Sequence, residues 1–208
     1  MVWASLKLGP RAGPAVSAPV ALVVVDAGHG GPDPGAVGVD GQREKHINLA
    51  VADDIARDLR AAGISVVMTR SADQALIHPF SVRADILARA ALANASGARL
   101  LLSIHTNIEG TGRARGPIVY YQAGRRDALA LATTLEQQLA VASGILHPPR
   151  SAHLLVLSST RAPAALVELG FLSEPVDAAR LSSPVYQRTL ALAISRAVLA
   201  YLAATGPG

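Results

Sequence analysis

Six short runs of mostly aliphatic residues constrain the fold of this chain more than any other feature. The first is continuous Val and Leu and ends at Asp26, and the others resemble it. Short continuous apolar runs are typical of strands buried on both faces, as in a parallel sheet. The predicted strands are Ala21–Ala27, Ile64–Arg70, Arg99–Thr106, Pro117–Gln122, His153–Ser158 and Ala164–Leu169.

Amphipathic helical patterns separate these runs. Ile47, Val51, Ile55 and Leu59 recur every four residues and end before Gly63, which predicts a helix. Further helices are predicted over Ser81–Ala95, Asp127–Ala142 and Pro184–Ala204. Strands that alternate with helices indicate an α/β fold, an open, mostly parallel six-stranded sheet with helices on both faces. Because there is no internal repeat or long linker, we expect one domain over residues 20–208.

The first 19 residues are rich in Pro, Gly, Ala and Ser, which predicts a flexible N-terminal segment. No clean apolar stretch of a signal peptide follows Lys7 and Arg11. Either the chain is not exported by this route, or the signal has been removed or lies outside this sequence. We expect no transmembrane segment, since Asp26 and Arg196 interrupt the two longest apolar stretches.

The composition limits the chemistry that the chain can perform. With no cysteine there are no disulfides, thiolate ligands or Cys nucleophiles, so any metal must be bound by His, Asp or Glu. The formal net charge of +4 favours association with an anionic polymer, although a modest charge spread over the surface need not indicate any partner. No basic run or aromatic-interleaved patch is present, and we therefore expect no nucleic-acid partner.

Four residues are candidates for a functional site. His29 lies in a Gly-rich turn directly after the first predicted strand, and His105 ends the third. Glu44 begins the first helix on its inward face, and Glu168 interrupts the last apolar strand. Each has an ordinary alternative: a plain turn or a phosphate loop for His29, a helix-dipole contact for Glu44, and a core histidine for His105. Glu168 has no Lys or Arg in its run, and a buried carboxylate must be paired, metal-associated or neutralised.

Together the four residues are far more specific than any one of them. Two histidines and one glutamate, His29, Glu44 and His105, form a set that binds catalytic zinc and leaves a position open for water. Zinc lowers the pKa of bound water to roughly 7. Glu168 is then the candidate catalytic acid/base that takes the water proton and passes it to a leaving amine. We expect His46, His78, His147 and His153 to lie outside this set, while Asn107 is a candidate to orient a ligand histidine or a substrate amide.

At these residues the chain resembles the zinc-dependent N-acetylmuramoyl-L-alanine amidases, in their type-3 catalytic domain. The resemblance extends over roughly residues 20–202 and implies a six-stranded sheet, zinc ligation by His29, Glu44 and His105, and catalysis by Glu168. It implies hydrolysis of the amide between the lactyl group of N-acetylmuramic acid and L-alanine of the peptidoglycan stem peptide, and hence a place in the cell envelope, periplasmic or extracellular. The matching runs are Val23–Gly31, Asp33–Ala36, Arg43–Lys45, Asn48–Ala50, Ser103–Asn107 and Pro163–Ser173.

The chain departs from the family pattern in two places. Thr106 stands where relatives commonly have Ala, and Glu174-Pro175 where they commonly have Asn-Pro. Both departures bear on substrate preference rather than on the ligands. The connection Ile108–Gly116 is too short for the autoinhibitory insertion of some regulated relatives, so we expect activity without an activator. We also expect a monomer. Two alternatives remain open: a zinc peptidase or deacylase that acts on another amide, and a non-catalytic wall-binding module.

Overall fold

The computed structural model describes residues 21–38, 40–111 and 113–206; the expected flexible segment 1–19 lies outside them. The strands are β1 (Leu22–Ala27), β2 (Ser65–Met68), β3 (Leu100–Asn107), β4 (Ile118–Gln122), β5 (Arg150–Ala152) and β6 (Ala164–Phe171). The helices are α1 (Glu44–Ala61), α2 (Val82–Ser96), α3 (Arg126–Ser143), α4 (Leu155–Ser158), α5 (Pro175–Leu181) and α6 (Pro184–Thr205).

The six strands form one sheet in the order β2-β1-β3-β6-β4-β5. Strands β2, β1, β3 and β6 run parallel, β4 is antiparallel to β6, and β5 is parallel to β4. The carboxyl ends of β1, β3 and β6 therefore meet at one edge of the sheet, where ligand sites of open α/β sheets lie. The prediction of an open, mostly parallel six-stranded α/β sheet is confirmed.

Alternate residues of the central strands point to opposite faces, and each face is covered by helices. Val23, Val25 and Leu102 pack with α1, α3 and α6 in the larger core. Val24 and Leu101 face the other side and pack with α2 and α4 in a smaller cluster. Both faces of the central strands are thus buried, which explains why their sequences are continuously apolar.

One predicted strand is wrong. Residues His153–Ser158 were expected to form a strand, but β5 is Arg150–Ala152 and Leu155–Ser158 is the short helix α4. The apolar run fits a helix because Val156 and Leu157 alone are fully buried against the sheet. A short apolar run does not distinguish a strand from a helical turn. Helix α5, whose first turn is capped by the side chain of Glu174, was not predicted from the sequence.

Helix α6 is long and apolar enough to cross a membrane by length and composition alone. In this fold its buried face, which includes Leu190, Ile194 and Val198, packs into the larger core with α1 and α3. Packing in the core accounts for its apolar composition.

Candidate metal centre

Three side chains from different elements converge at the carboxyl edge of the sheet. The Oε1 atom of Glu44 lies 3.2 Å from Nε2 of His29 and 3.0 Å from Nδ1 of His105. One potential ligand atom from each residue falls within 4.8 Å of the others. The turn after β1 supplies His29, the first turn of α1 supplies Glu44, and β3 supplies His105. The structure thus brings together the three residues that the sequence analysis proposed as ligands.

Glu44 is held as an ionised carboxylate by several donors. Its Oε2 accepts the backbone N–H of Ala36 at 2.7 Å, and its Oε1 accepts the backbone N–H of Thr106 at 2.9 Å and the Asn48 amide at 3.1 Å. Burial alone would raise the pKa of Glu44, but the hydrogen bonds and positive charge of His105 and His29 hold that pKa far below its usual range. The Thr106 hydroxyl in turn donates to Asn48, which gives this departure from the family pattern a role in orienting the amide.

The turn that carries His29 has an uncommon backbone. His29 has a φ of +62°, which non-glycine residues rarely adopt. Its Nδ1 lies 2.8 Å from Oδ2 of Asp33, so Asp33 favours a proton on Nδ1 and leaves Nε2 toward Glu44. Burial lowers the pKa of His29, but the hydrogen bonds and charges of Glu44 and Asp33 outweigh burial and raise it to about 9.

Two buried arginines fix the backbone of the same turn. Arg70 donates to the carbonyls of Ala27 at 2.8 Å and Gly28 at 3.0 Å. Arg89 donates to the His29 carbonyl at 2.8 Å and to Asp26 Oδ1 at 2.7 Å. Because arginine offers five donors in a rigid fork, these contacts hold the strained turn in place.

Glu168 faces His105 from the neighbouring strand. The two residues are in register on the parallel strands β3 and β6, which places their side chains on the same face of the sheet. The Oε2 atom of Glu168 is buried and has no hydrogen-bond partner within the described residues. Burial raises the pKa of Glu168 to about 7, with nearby Glu44 adding to the rise and the two histidines opposing it.

The donors present fit a zinc ion. Two imidazole nitrogens and one ionised carboxylate form a common catalytic zinc set that leaves one position free. Asp33 supplies the carboxylate that orients a ligand histidine in many such sites. Glu168 lines the cavity beside these groups, and its buried Oε2 has no hydrogen-bond partner among the described residues.

A cavity of about 310 Å³ opens beside these groups; we call it the metal-site cavity. His29, His105 and Glu168 line its inner side, and apolar side chains of α2 and α4 line its outer wall. An apolar wall of this kind limits the access of bulk water to the reacting groups.

The structure also separates these residues from the weaker candidates. His46 is exposed, as expected, and lies near Asp73. His78 and His153 are also exposed. The side chain of Asn107 accepts the backbone N–H of Ile108, and among the described residues it makes no hydrogen bond with His29 or His105. No role was predicted for Asp33 or Arg89, although Asp33 and the helix Arg83–Ala95 both lie in segments that resemble the family.

Comparison with known proteins places this site in a family. Residues 23–200 match the family model described as N-acetylmuramoyl-L-alanine amidase. The uncharacterized protein YqiI of Bacillus subtilis (strain 168) is 34% identical over 213 residues, which cover 97% of this chain and 98% of that protein. The germination-specific N-acetylmuramoyl-L-alanine amidase of the same organism is 32% identical over 193 residues, 89% of this chain and 81% of that protein.

The fold is similar to that of a solved amidase. The structure of the CwlD amidase from Clostridioides difficile, in complex with the GerS lipoprotein, matches with a TM-score of 0.82 at 27% identity. The match covers 88% of this chain and 99% of that chain. Since the family model spans residues 23–200 and these relatives match over most of both chains, the chain belongs to the N-acetylmuramoyl-L-alanine amidase family.

Proposed function

We propose that this chain is a zinc-dependent peptidoglycan hydrolase. It cleaves the amide between the lactyl group of N-acetylmuramic acid and L-alanine of the stem peptide. Family membership supports the reaction, and the convergence of His29, Glu44 and His105 supports the metal. The main observation behind the proposal is that Glu168 lies in register with His105 and has a raised pKa. One of its buried oxygens has no hydrogen-bond partner in the part of the chain that the structure describes.

The residues divide the work of hydrolysis. His29, Glu44 and His105 would hold zinc, which supplies Lewis-acid activation of water and of the scissile carbonyl. Glu168 accepts a proton from the water whose oxygen attacks the lactyl carbonyl carbon. It then donates that proton to the alanine nitrogen as the carbon–nitrogen bond breaks, giving a carboxylic acid and a free amine. A pKa near 7 lets Glu168 both accept and return the proton at neutral pH.

Digestion of purified peptidoglycan tests this function. We expect new L-alanine amino termini on released stem peptides, with glycan strands left intact. Chelation should abolish the release while most of the fold survives, and added zinc should restore it. A product with peptide bonds cleaved, or deacetylated sugars, would point to the alternative zinc peptidase or deacylase. Full activity in a sample shown by elemental analysis to hold no metal would overturn the zinc assignment.

We further propose that the domain over residues 20–208 acts in the cell envelope without an activator. β3 ends at Asn107 and β4 begins at Ile118, which leaves no room for a long inhibitory insertion between them. The related CwlD structure, however, holds a lipoprotein partner. The purified domain should therefore be assayed on sacculi at low salt, alone and with envelope extract. An enzyme that is inert alone and active with extract would contradict this proposal.

A further inference from the structure

Two cavities of different chemistry flank Glu168. The metal-site cavity lies on one side, and a second cavity of about 230 Å³, the arginine cavity, lies on the other. Ile118 of β4 lines the arginine cavity and is the register partner of Glu168. The arginine cavity therefore begins one strand away from the candidate acid/base. Its polar lining consists of Asn107, Glu109, Arg115, Tyr120, His147 and Arg150.

Both cavities lie on the same face of the sheet. Tyr120 lines the arginine cavity and is paired with Leu166, which lines the metal-site cavity. Side chains of paired residues on adjacent strands point to the same face. An extended substrate can therefore cross Glu168 with one end in each cavity.

The metal-site cavity suits an uncharged group. Val82, Ile86 and Leu154 form its outer wall, with Val82 54% and Leu154 37% exposed, which is high for large apolar side chains. Its one arginine, Arg89, is buried and already bonded to two carboxylates, Asp26 and Asp85. A carboxylate placed here would meet acidic side chains and no free guanidinium.

The arginine cavity suits a carboxylate. Arg150 is exposed at the start of β5 and forms no ion pair within the described part of the chain. Arg115, whose side chain is 44% exposed, uses Nε to pair with Glu174 at 3.3 Å, which anchors it at the cavity. Glu109 also lines the cavity and accepts from the Thr111 hydroxyl at 2.6 Å, so the charged lining is two arginines against one glutamate. Guanidinium groups bind carboxylates with strong charge-assisted hydrogen bonds.

We propose that these cavities fix the direction in which the substrate binds. This inference rests on the proposed function, in which the scissile amide joins an uncharged sugar to a peptide that bears carboxylates. The N-acetylmuramoyl group lies against the apolar wall of Val82, Ile86 and Leu154. The stem peptide runs past Glu168 into the arginine cavity, where Arg150 and Arg115 bind its carboxylates. Arg150 is thus a specificity-determining residue.

The test compares two forms of peptidoglycan freed of other wall polymers: the native form and one whose stem carboxyls have been converted to amides. Initial rates are measured at limiting substrate for wild type, Arg150→Gln and Arg161→Gln. Arg161 is an exposed arginine on the loop before β6, at the amino end of that strand. Its substitution controls for the loss of one positive charge.

We expect wild type to cleave the amidated form about tenfold more slowly than the native form, in line with the loss of a charge-assisted contact. Arg150→Gln should cleave the native form about tenfold more slowly than wild type and should treat both forms alike. Arg161→Gln should behave as wild type. Normal cleavage of native peptidoglycan with no selective effect of Arg150→Gln would overturn the binding direction alone. A wild-type protein that cleaves neither form would overturn the proposed function and this inference with it.

Discussion

His105 and Glu168 are register partners on the parallel strands β3 and β6, so a candidate metal ligand and the candidate acid/base share one face of the sheet. The pairing is between backbones and does not depend on a metal. Removing the carboxylate of Glu168 should therefore leave the ligands in place. We therefore expect metal binding and catalysis to be separable by substitution of Glu168.

Asp33→Asn should weaken metal binding without unfolding the protein. Asp33 accepts from Nδ1 of His29 at 2.8 Å and sets the tautomer that leaves Nε2 free. Loss of such an orienting carboxylate typically costs about 10–100-fold in metal affinity. Competition with a chelator of known affinity measures this. Asp40→Asn, on the exposed turn before α1, is the control and should not differ from wild type. Equal affinity in Asp33→Asn would remove Asp33 from the site.

Gly28→Ala should damage the site through contact with His105. A Cβ at residue 28 would clash with the imidazole ring of His105, so the ring would have to leave its present position beside Glu44. Gly110 is the matched control, because a Cβ there meets nothing within 4 Å. We expect Gly28→Ala to lose most zinc affinity and Gly110→Ala to retain it, as measured by zinc content after dialysis. A Gly28→Ala protein that keeps about one zinc per chain would show that the His105 ring can shift without loss of the metal.

Arg89→Met should destabilise the whole domain. Arg89 is 3% exposed and bonded to Asp26 and Asp85, so its removal leaves two buried carboxylates without a cation. Breaking a buried pair in this way typically costs about 3–5 kcal/mol in the free energy of unfolding. Denaturant unfolding of metal-free protein measures the change. Arg57→Met is the control, since Arg57 is exposed on α1. If Arg89→Met lowered the free energy of unfolding as little as Arg57→Met, this role of Arg89 would be contradicted.

The stability of metal-free protein should reveal the raised pKa of Glu168. Burial raises this pKa to about 7 from 4.5, so between these values the folded state binds a proton that the unfolded state has lost. The Glu168 contribution to stability is then lost as the pH rises from about 4.5 to about 7. The glutamine of Glu168→Gln does not titrate, so this variant does not lose stability in that way. Its free energy of unfolding, relative to that of wild type, should therefore rise between pH 5 and pH 8. A constant difference across that range would mean that the pKa of Glu168 is not raised.

Much of the fold follows from the sequence, and the failures have physical reasons. The long apolar runs around Val24 and Leu101 identify central strands because both their faces are buried. The run His153–Ser158 failed as a strand prediction, because a short apolar run does not by itself distinguish a strand from a single helical turn.

The candidate site was predictable to the level of its four side chains but not of their support. The places of these side chains are visible in the sequence: His29 and His105 at strand ends, Glu44 on the inward face at the start of a helix, and Glu168 within an apolar strand. The backbone N–H groups that hold Glu44 carry no sequence signal, and neither does the strand register that pairs Glu168 with His105. Arg89 lies on an otherwise ordinary helix, and only the packing of α2 against β1 shows that it reaches the His29 turn.

The most direct test of the account measures zinc content and initial rate side by side for wild type, Glu44→Ala, Glu168→Ala and Glu168→Gln. Glu44→Ala should lose zinc and activity together, because it removes one of three ligands. Both Glu168 variants should keep nearly stoichiometric zinc yet lose about 10²–10⁴-fold in rate, the range for a general acid/base. Glu168→Gln keeps the shape of the side chain but cannot accept a proton, so it should be nearly as inactive as Glu168→Ala. A zinc-loaded Glu168→Gln enzyme with a near wild-type rate would contradict the assignment of Glu168 as the acid/base.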